Sequence, residues 1–112
     1  MLEWALIELL RHPKTMKKMQ NEVRTITRNK KDITEDNLDE MNYLNAVIKE
    51  TFCLHPILPL LPLRESSRDA KIQGYDIAAG TRVLINVWAI GRDPKIQDNP
   101  NEFHPKRFLS SL

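Results

Sequence analysis

The sequence predicts a mixed α and β fold, with a mainly helical N-terminal half followed by an antiparallel hairpin and an irregular meander. Apolar residues recur at spacings of three and four up to about residue 55, which is the period of helices with one buried face. Beyond that point, glycines and prolines separate short apolar runs, a pattern typical of strands connected by turns. The 112 residues are enough for one domain at most.

Two helices separated by a proline are predicted at the N-terminus. Residues 4–10 are apolar nearly all round, which is typical of the buried end of a longer helix. His12-Pro13 ends this helix, because proline has no amide hydrogen and restricts the residue before it. Pro13 then suits the first position of a second helix. The apolar stripe of that helix consists of Met16, Met19, Val23 and Ile26.

A capped turn and a strong helix are predicted next. Thr34 is the predicted N-cap of a short acidic turn that ends at Asp39. The strongest helix runs from about Asn42 to His55-Pro56. Its predicted inward face consists of Leu44, Val47, Ile48 and Thr51.

The second half contains an extended segment and two strand-like runs. Prolines at every third residue over 56–62 predict an apolar, polyproline-like chain that cannot be a central strand. Residues 71–77 and 81–87 are separated by Gly80 and are predicted to pair as a hairpin. From residue 89 onward, Asp-Pro, Asn-Pro and His-Pro pairs predict turns.

Charge and composition exclude several classes of protein. With 17 Lys and Arg against 15 Asp and Glu, the net charge is +2. One cysteine excludes an internal disulfide framework, and the longest apolar stretch, residues 4–7, is far too short to cross a membrane. A basic block lacks the aromatic residues on which bases stack, which does not favour nucleic-acid binding. The block comprises Arg11, Lys14, Lys17, Lys18, Arg24, Arg28, Lys30 and Lys31.

No residue pattern indicates a metal site or a nucleophile. Cys53 and His55 lie two residues apart, but a structural zinc site requires four ligands at close paired spacings. Each histidine precedes a proline, so the histidines are expected at element boundaries. Glu50 stands out because it lies beside the apolar stripe, where a buried carboxylate needs a cationic partner. A half-exposed Glu50 beside Lys49 is the alternative.

Five ordered segments resemble cytochrome P-450 monooxygenases, the plant microsomal members most. Residues 43–56, YLNAVIKETFCLHP, resemble the K-helix of that family. The segments RES (64–66), GYDI and AGT (74–81), NVWAIGRDP (86–94) and FHPKRF (103–108) resemble its sheet, K′ and meander. Residues 4–24 resemble the end of the I-helix followed by helix J. The resemblance implies that residues 1–112 form a partial cytochrome P-450 domain.

The chain departs from the family pattern at four positions. The Glu-x-x-Arg motif is Glu50-Thr51-Phe52-Cys53 here, so its arginine is absent. The Pro-Glu-Arg-Phe motif is Pro105-Lys106-Arg107-Phe108, with lysine in place of glutamate and the meander arginine kept. Ala78 and Gln97 stand where the family usually has proline and tryptophan. We expect the segment to begin after the I-helix oxygen-handling motif and to stop before the haem-cysteine loop. It should therefore contain no metal ligand and no catalytic residue, and Cys53 should not be mistaken for the haem ligand.

The resemblance implies a parent enzyme that oxidises small apolar organic molecules with O2. Its cofactor would be haem, and an NADPH-dependent reductase would supply electrons at the cytosolic face of the endoplasmic reticulum membrane. Membrane association would require an anchor that this segment lacks. The segment alone is expected to be inactive and to bind no haem stably. The alternative is a noncatalytic truncated product that acts as a protein-interaction module through its basic helix.

The resemblance also implies roles for individual residues. Glu50 and Arg107 would form an ion pair that holds the meander to the K-helix. Arg64 would meet a haem propionate, unless it pairs with Glu65 or Asp69. Five apolar side chains would line the substrate pocket, or alternatively belong to the core. They are Ile57, Leu58, Leu60, Leu61 and Leu63.

Overall fold

The computed structural model describes residues 1–28 and 32–109, and it has the predicted mixed α and β architecture. The helical half comprises α1 (Leu2–Arg11), α2 (Pro13–Thr27), α3 (Glu35–Asp39) and α4 (Asn42–Leu54). The second half comprises β1 (Arg64–Glu65), β2 (Ala70–Ile72), β3 (Tyr75–Ile77), β4 (Arg82–Val83), α5 (Val87–Ile90) and a 3-10 helix (Pro105–Phe108). Lys30 and Lys31 of the basic block lie outside the described residues.

Local signals set the helix boundaries as predicted. His12 is both the C-cap of α1 and the N-cap of α2, and Pro13 occupies the first turn of α2. Thr34 is the N-cap of α3, where its backbone N–H donates to Asn37 Oδ1 at 3.3 Å. His55 ends α4 and His104 precedes the 3-10 helix, so all three histidines lie at element boundaries.

Helix α4 is the centre of the packing. Helices α1, α2 and α3 and the 3-10 helix all contact it. The core cluster consists of Leu9, Tyr43, Val47, Leu54 and Phe103, against which Met16, Met19 and Leu109 pack. The meander, which we define as the turns from residue 89 to the 3-10 helix, therefore packs on the same helix as the N-terminal half.

Two predicted apolar faces are wrong in part. On α4, Val47 and Thr51 are buried, but Ile48 is 40% exposed, because the neighbouring elements pack on the side of Val47 and Glu50. On α1, which was expected to be the buried end of a longer helix, only Glu8 and Leu9 are buried in the part of the chain that the structure describes. Its exposed apolar side chains are Leu2, Trp4, Leu6, Ile7 and Leu10.

The predicted pairing of residues 71–77 with 81–87 is wrong. Instead β2 pairs with β3 in antiparallel register, with Ile72 opposite Tyr75. Gln73 and Gly74 both have positive φ, at 50° and 88°. They form a two-residue turn of the type that suits the twist of hairpins, and this turn folds residues 71–77 back on themselves. Strand β4 is then left to pair with β1, where Arg64 lies opposite Val83.

The proline segment between α4 and β1 is not extended throughout. Leu61 N–H donates to Leu58 C=O at 3.1 Å, and Leu61 has a positive φ of 53°. This turn interrupts the predicted polyproline-like course. The described backbone between Leu54 and Arg64 contains no strand, as the missing proline amides require.

Candidate functional site

The carboxylate of Glu50 joins α4 to the start of the 3-10 helix. Glu50 is 1% exposed, so the half-exposed alternative is wrong. Its Oε1 accepts the His104 backbone N–H at 2.7 Å, and its Oε2 lies 3.0 Å from Arg107 Nε. The structure therefore brings together a buried anion, a backbone donor and a cation from two segments that are far apart in sequence.

Arg107 directs its five N–H groups at the meander. Its Nε donates to the His104 carbonyl at 3.4 Å, and its Nη1 donates to Gln97 Oε1 at 3.1 Å and to the Asp98 carbonyl at 2.9 Å. Its Nη2 donates to the carbonyls of Asn99 and Glu102, at 3.2 and 2.9 Å. A guanidinium has five donors in a fixed fork, and these contacts direct that fork mainly at the meander.

Glu50 Oε2 lies beside the positive charge of Arg107 but accepts no aligned hydrogen bond from the described residues. Within residues 1–28 and 32–109, this buried oxygen has no hydrogen-bond partner, although Arg107 is in ion-pair distance. Burial raises the pKa of Glu50, and the His104 amide and the Arg107 charge lower it by less. The carboxylate is thus held in an environment that only partly compensates its negative charge.

Cys53 and Gln97 complete this cluster. Cys53 lies one turn after Glu50 on α4, and its Sγ is 3.3 Å from Gln97 Nε2. The Gln97 carboxamide therefore contacts both the thiol and the Arg107 guanidinium. Sequence reasoning identified Gln97 only as a departure from the family pattern, because no periodic signal connects residues 44 positions apart.

Arg64 is exposed and lies on β1, whereas the Glu50 cluster lies between α4 and the 3-10 helix. Within the described part of the chain, its guanidinium pairs with neither Glu65 nor Asp69. Asp69 Oδ1 instead accepts the Ala79 backbone N–H at 2.7 Å. The planar fork of Arg64 therefore remains accessible for an anionic ligand.

The five apolar residues predicted to line a pocket do not form a core in this structure. Leu61 is partly buried, and Leu60 is 45% exposed. Ile57, Leu58 and Leu63 are between 55% and 63% exposed. They form an apolar surface on the loop between α4 and β1.

A second buried carboxylate was missed by sequence reasoning. Glu8 is 5% exposed, and its Oε1 lies 3.0 Å from His55 Nε2, which joins α1 to the end of α4. His12 Nδ1 contacts the Glu8 backbone carbonyl at 2.8 Å, and Trp4 stacks on the His55 ring at 4.2 Å. The i, i+4 spacing of Glu8 and His12 was the available signal. The group borders a cavity of about 540 Å³ that Phe103 also lines.

Two further observations concern metals and membranes. Among the residues that the structure describes, no group of three or more His, Cys, Asp or Glu side chains could hold a metal ion. None of the helices in those same residues has the length and apolarity needed to cross a bilayer.

Comparison with known proteins identifies the family. The sequence model of the family Cytochrome P450 matches residues 1–111. Cytochrome P450 736A117 of Prunus mume is 60% identical over 111 residues, which cover 98% of this chain and 21% of that protein. The (+)-menthofuran synthase of Mentha piperita is 54% identical over 110 residues, and the norfluorocurarine oxidase of Strychnos sp is 53% identical over 110 residues. Each match covers 98% of this chain and 22% of the relative.

Solved structures agree with the sequence matches. A zebra fish cytochrome P450 structure with progesterone superimposes with a TM-score of 0.88 at 33% identity, covering 96% of this chain and 26% of that one. The described fold is thus a partial cytochrome P450 fold. The chain belongs to the cytochrome P450 family, and it spans about a fifth of the length of the curated relatives that it matches.

Proposed function

We propose that this chain is a segment of a haem-dependent monooxygenase that oxidises small apolar organic molecules with O2. The observation that carries the proposal is the buried contact between Glu50 and Arg107, in a chain that belongs to this family. An NADPH-dependent reductase would supply the electrons, at the cytosolic face of the endoplasmic reticulum membrane. The full-length protein would carry these activities, and residues 1–112 alone would be inactive.

The described residues fit one edge of a haem group. When bound, haem supplies the oxygen chemistry, while the protein orients and shields the reacting groups. Arg64 is exposed and in no described ion pair, so its fork of donors fits a propionate. The exposed apolar side chains of 57–63 fit an apolar substrate or its pocket wall.

The Glu50 cluster would hold the meander in position. Arg107 collects meander carbonyls, and Glu50 accepts from the His104 amide that begins the 3-10 helix. Because Glu50 is fixed on α4, the meander cannot move away from α4 without separating this buried charge from the His104 amide and from Arg107. We propose that this rigidity positions the chain that follows.

A chimaera tests the proposal. In it, residues 1–112 replace the matching segment of full-length (+)-menthofuran synthase, and the ferrous protein is examined under carbon monoxide. We expect the red-shifted Soret band of thiolate-ligated haem. Arg64→Ala should lower haem occupancy several-fold, whereas Arg68→Ala, an exposed arginine on the next turn, should not. A folded chimaera without haem would contradict the proposal.

The exposure of the basic side chains favours a second candidate function. On and beside α2, Glu22 is the only acidic residue between positions 11 and 28, and its carboxylate accepts the Tyr43 and Leu44 amides. The basic side chains are exposed at Arg11, Lys14, Lys17, Lys18, Arg24 and Arg28. This face could serve as an interaction module for an acidic protein. Salt-dependent capture of an acidic partner by the isolated chain, lost in Lys14→Glu/Lys17→Glu, would support it.

A further inference from the structure

Two of the positions at which this chain departs from the family pattern touch each other. Residue 53, an arginine in the family, is Cys53, and residue 97, usually a tryptophan, is Gln97. The Gln97 Nε2 lies 3.3 Å from Cys53 Sγ. The two departures therefore lie on the two sides of one contact, 44 residues apart in sequence.

The backbone at Gly91 approaches residue 53 closely. A Cβ atom built on Gly91 would lie 3.2 Å from the Cys53 carbonyl oxygen and 3.5 Å from its sulfur. The Gln97 carboxamide also contacts Cys53 Sγ, so a longer side chain at position 53 would have to displace the carboxamide or pass beside it.

The other end of the carboxamide holds Arg107. Gln97 Oε1 accepts from Arg107 Nη1 at 3.1 Å, while Arg107 Nε lies 3.0 Å from Glu50 Oε2. We propose that Cys53 and Gln97 act as a pair, in which Gln97, braced by the thiol, positions Arg107 against Glu50. This deepens the proposed role of Glu50 and Arg107 in holding the meander, and it rests on that role.

Gln97 acts through Arg107 and is therefore a positioning residue, whose effect should be visible in the titration of Glu50. Arg107 and His104 are the charged and titratable groups that act on this carboxyl from the 3-10 helix side. From the other elements packed on α4, Glu8 of α1 contacts the end of the helix at His55. The groups of α2 that face its first turn are Glu22 and Lys18, at Tyr43.

The test is a pH series of urea unfolding on the 112-residue chain, in sucrose to favour the folded state. At each pH, every variant is compared with the same variant carrying Glu50→Gln, so the difference isolates the Glu50 titration. Loss of a nearby cation raises the pKa of a carboxyl. Gln97→Met should therefore raise the pH midpoint of the Glu50 titration by about one pH unit. Gln20→Met, the same substitution on α2, is the control and should leave the midpoint unchanged.

A double-mutant comparison tests the pairing. Cys53→Ala should shift the midpoint in the same direction by less, and it should add nothing once Gln97 is Met, because the thiol acts only through Gln97. Cys53→Ala removes one sulfur, so it tests the contact even where Gln97→Met does not fold. An unmoved midpoint in either single variant, or a fully additive double variant, would overturn the proposal. These measurements contain no haem, so their failure is distinct from a chimaera that binds none.

Discussion

Arg107 Nε lies 3.0 Å from Glu50 Oε2, yet within the described residues that oxygen accepts no hydrogen bond, and the Arg107 guanidinium donates to acceptors in the meander. The ion pair is therefore close in distance without being an aligned hydrogen bond. Glu50 depends on one backbone donor, the His104 N–H, and on the nearby positive charge. The buried carboxylate is stabilised less completely than two aligned arginine forks would allow.

Removal of the Arg107 side chain should be strongly destabilising. Arg107→Ala leaves Glu50 buried beside no cation and leaves four meander carbonyls without their shared donor. Breaking a buried pair in this way costs about 3–5 kcal/mol, which thermal melting of the chimaera measures. Arg107→Lys keeps the charge but not the fork and should lose less. A melting temperature of Arg107→Ala equal to that of the parent chimaera would show that the contact contributes nothing.

The stability of the isolated chain should depend on pH through Glu50. Burial raises the pKa of Glu50 in the folded state, so the folded chain binds this proton more tightly than the unfolded chain. The resulting stabilisation is present below the unfolded-state pKa and is lost as the pH rises through the folded-state pKa. The free energy of unfolding relative to Glu50→Gln should fall over that window and then level off. A difference that rises with pH would mean that Arg107 outweighs burial.

An arginine at position 53 should stabilise the chimaera, most of all when Gln97 is also changed. Cys53→Arg would offer Glu50 Oε2 the donor that it lacks, which is worth about 1–3 kcal/mol for a buried polar atom. Cys53→Arg alone should gain less than Cys53→Arg/Gln97→Ala, because the shorter alanine clears the Gln97 carboxamide from beside residue 53. Melting curves of both variants, repeated with Glu50→Gln, check the explanation. A gain that persists with Gln at position 50 would show that Glu50 is not the group being satisfied.

The isolated chain should not form a thiolate-ligated haem complex. Cys53 is its one cysteine, and that thiol is partly buried, with the Gln97 amide and the Gly91 carbonyl in contact with its sulfur. Haemin titration, followed by reduction under carbon monoxide, should give no strongly red-shifted Soret band. A band that disappears in Cys53→Ser would prove instead that Cys53 can ligate iron.

The exposed apolar side chains should cause the isolated chain to associate. Leu6 and Leu10 of α1 are 55% and 71% exposed, and clustered apolar surface of this kind promotes self-association. Sedimentation velocity should show a mass that increases with concentration, and Leu6→Lys/Leu10→Lys should reduce it. Gln20→Lys/Asn21→Lys adds the same charge on α2 and serves as the control. A monomer at every concentration would contradict this expectation.

Local chemistry explains which parts of the fold were predictable. Pro13 ends one helix and begins the next through its own ring, and the apolar period of α4 required only neighbouring residues. The strands were recognisable, but their partners were not, because alternation identifies a strand without saying what it pairs with. The turn at Gln73-Gly74 decided that pairing, and positive φ at Gln73 is not a typical sequence signal.

The sequence by itself determined the fold class and the main helices, since both follow from spacing and local sterics, and it singled out Glu50 as a carboxylate that needs a compensating charge if it is buried. Only the tertiary structure decided that Arg107 would use its donors on the meander and that Gln97 would stand between it and Cys53. The physical reason is that helix periods and caps act over a few residues. A contact across 44 residues depends instead on how α4 and the meander pack, which no local pattern encodes.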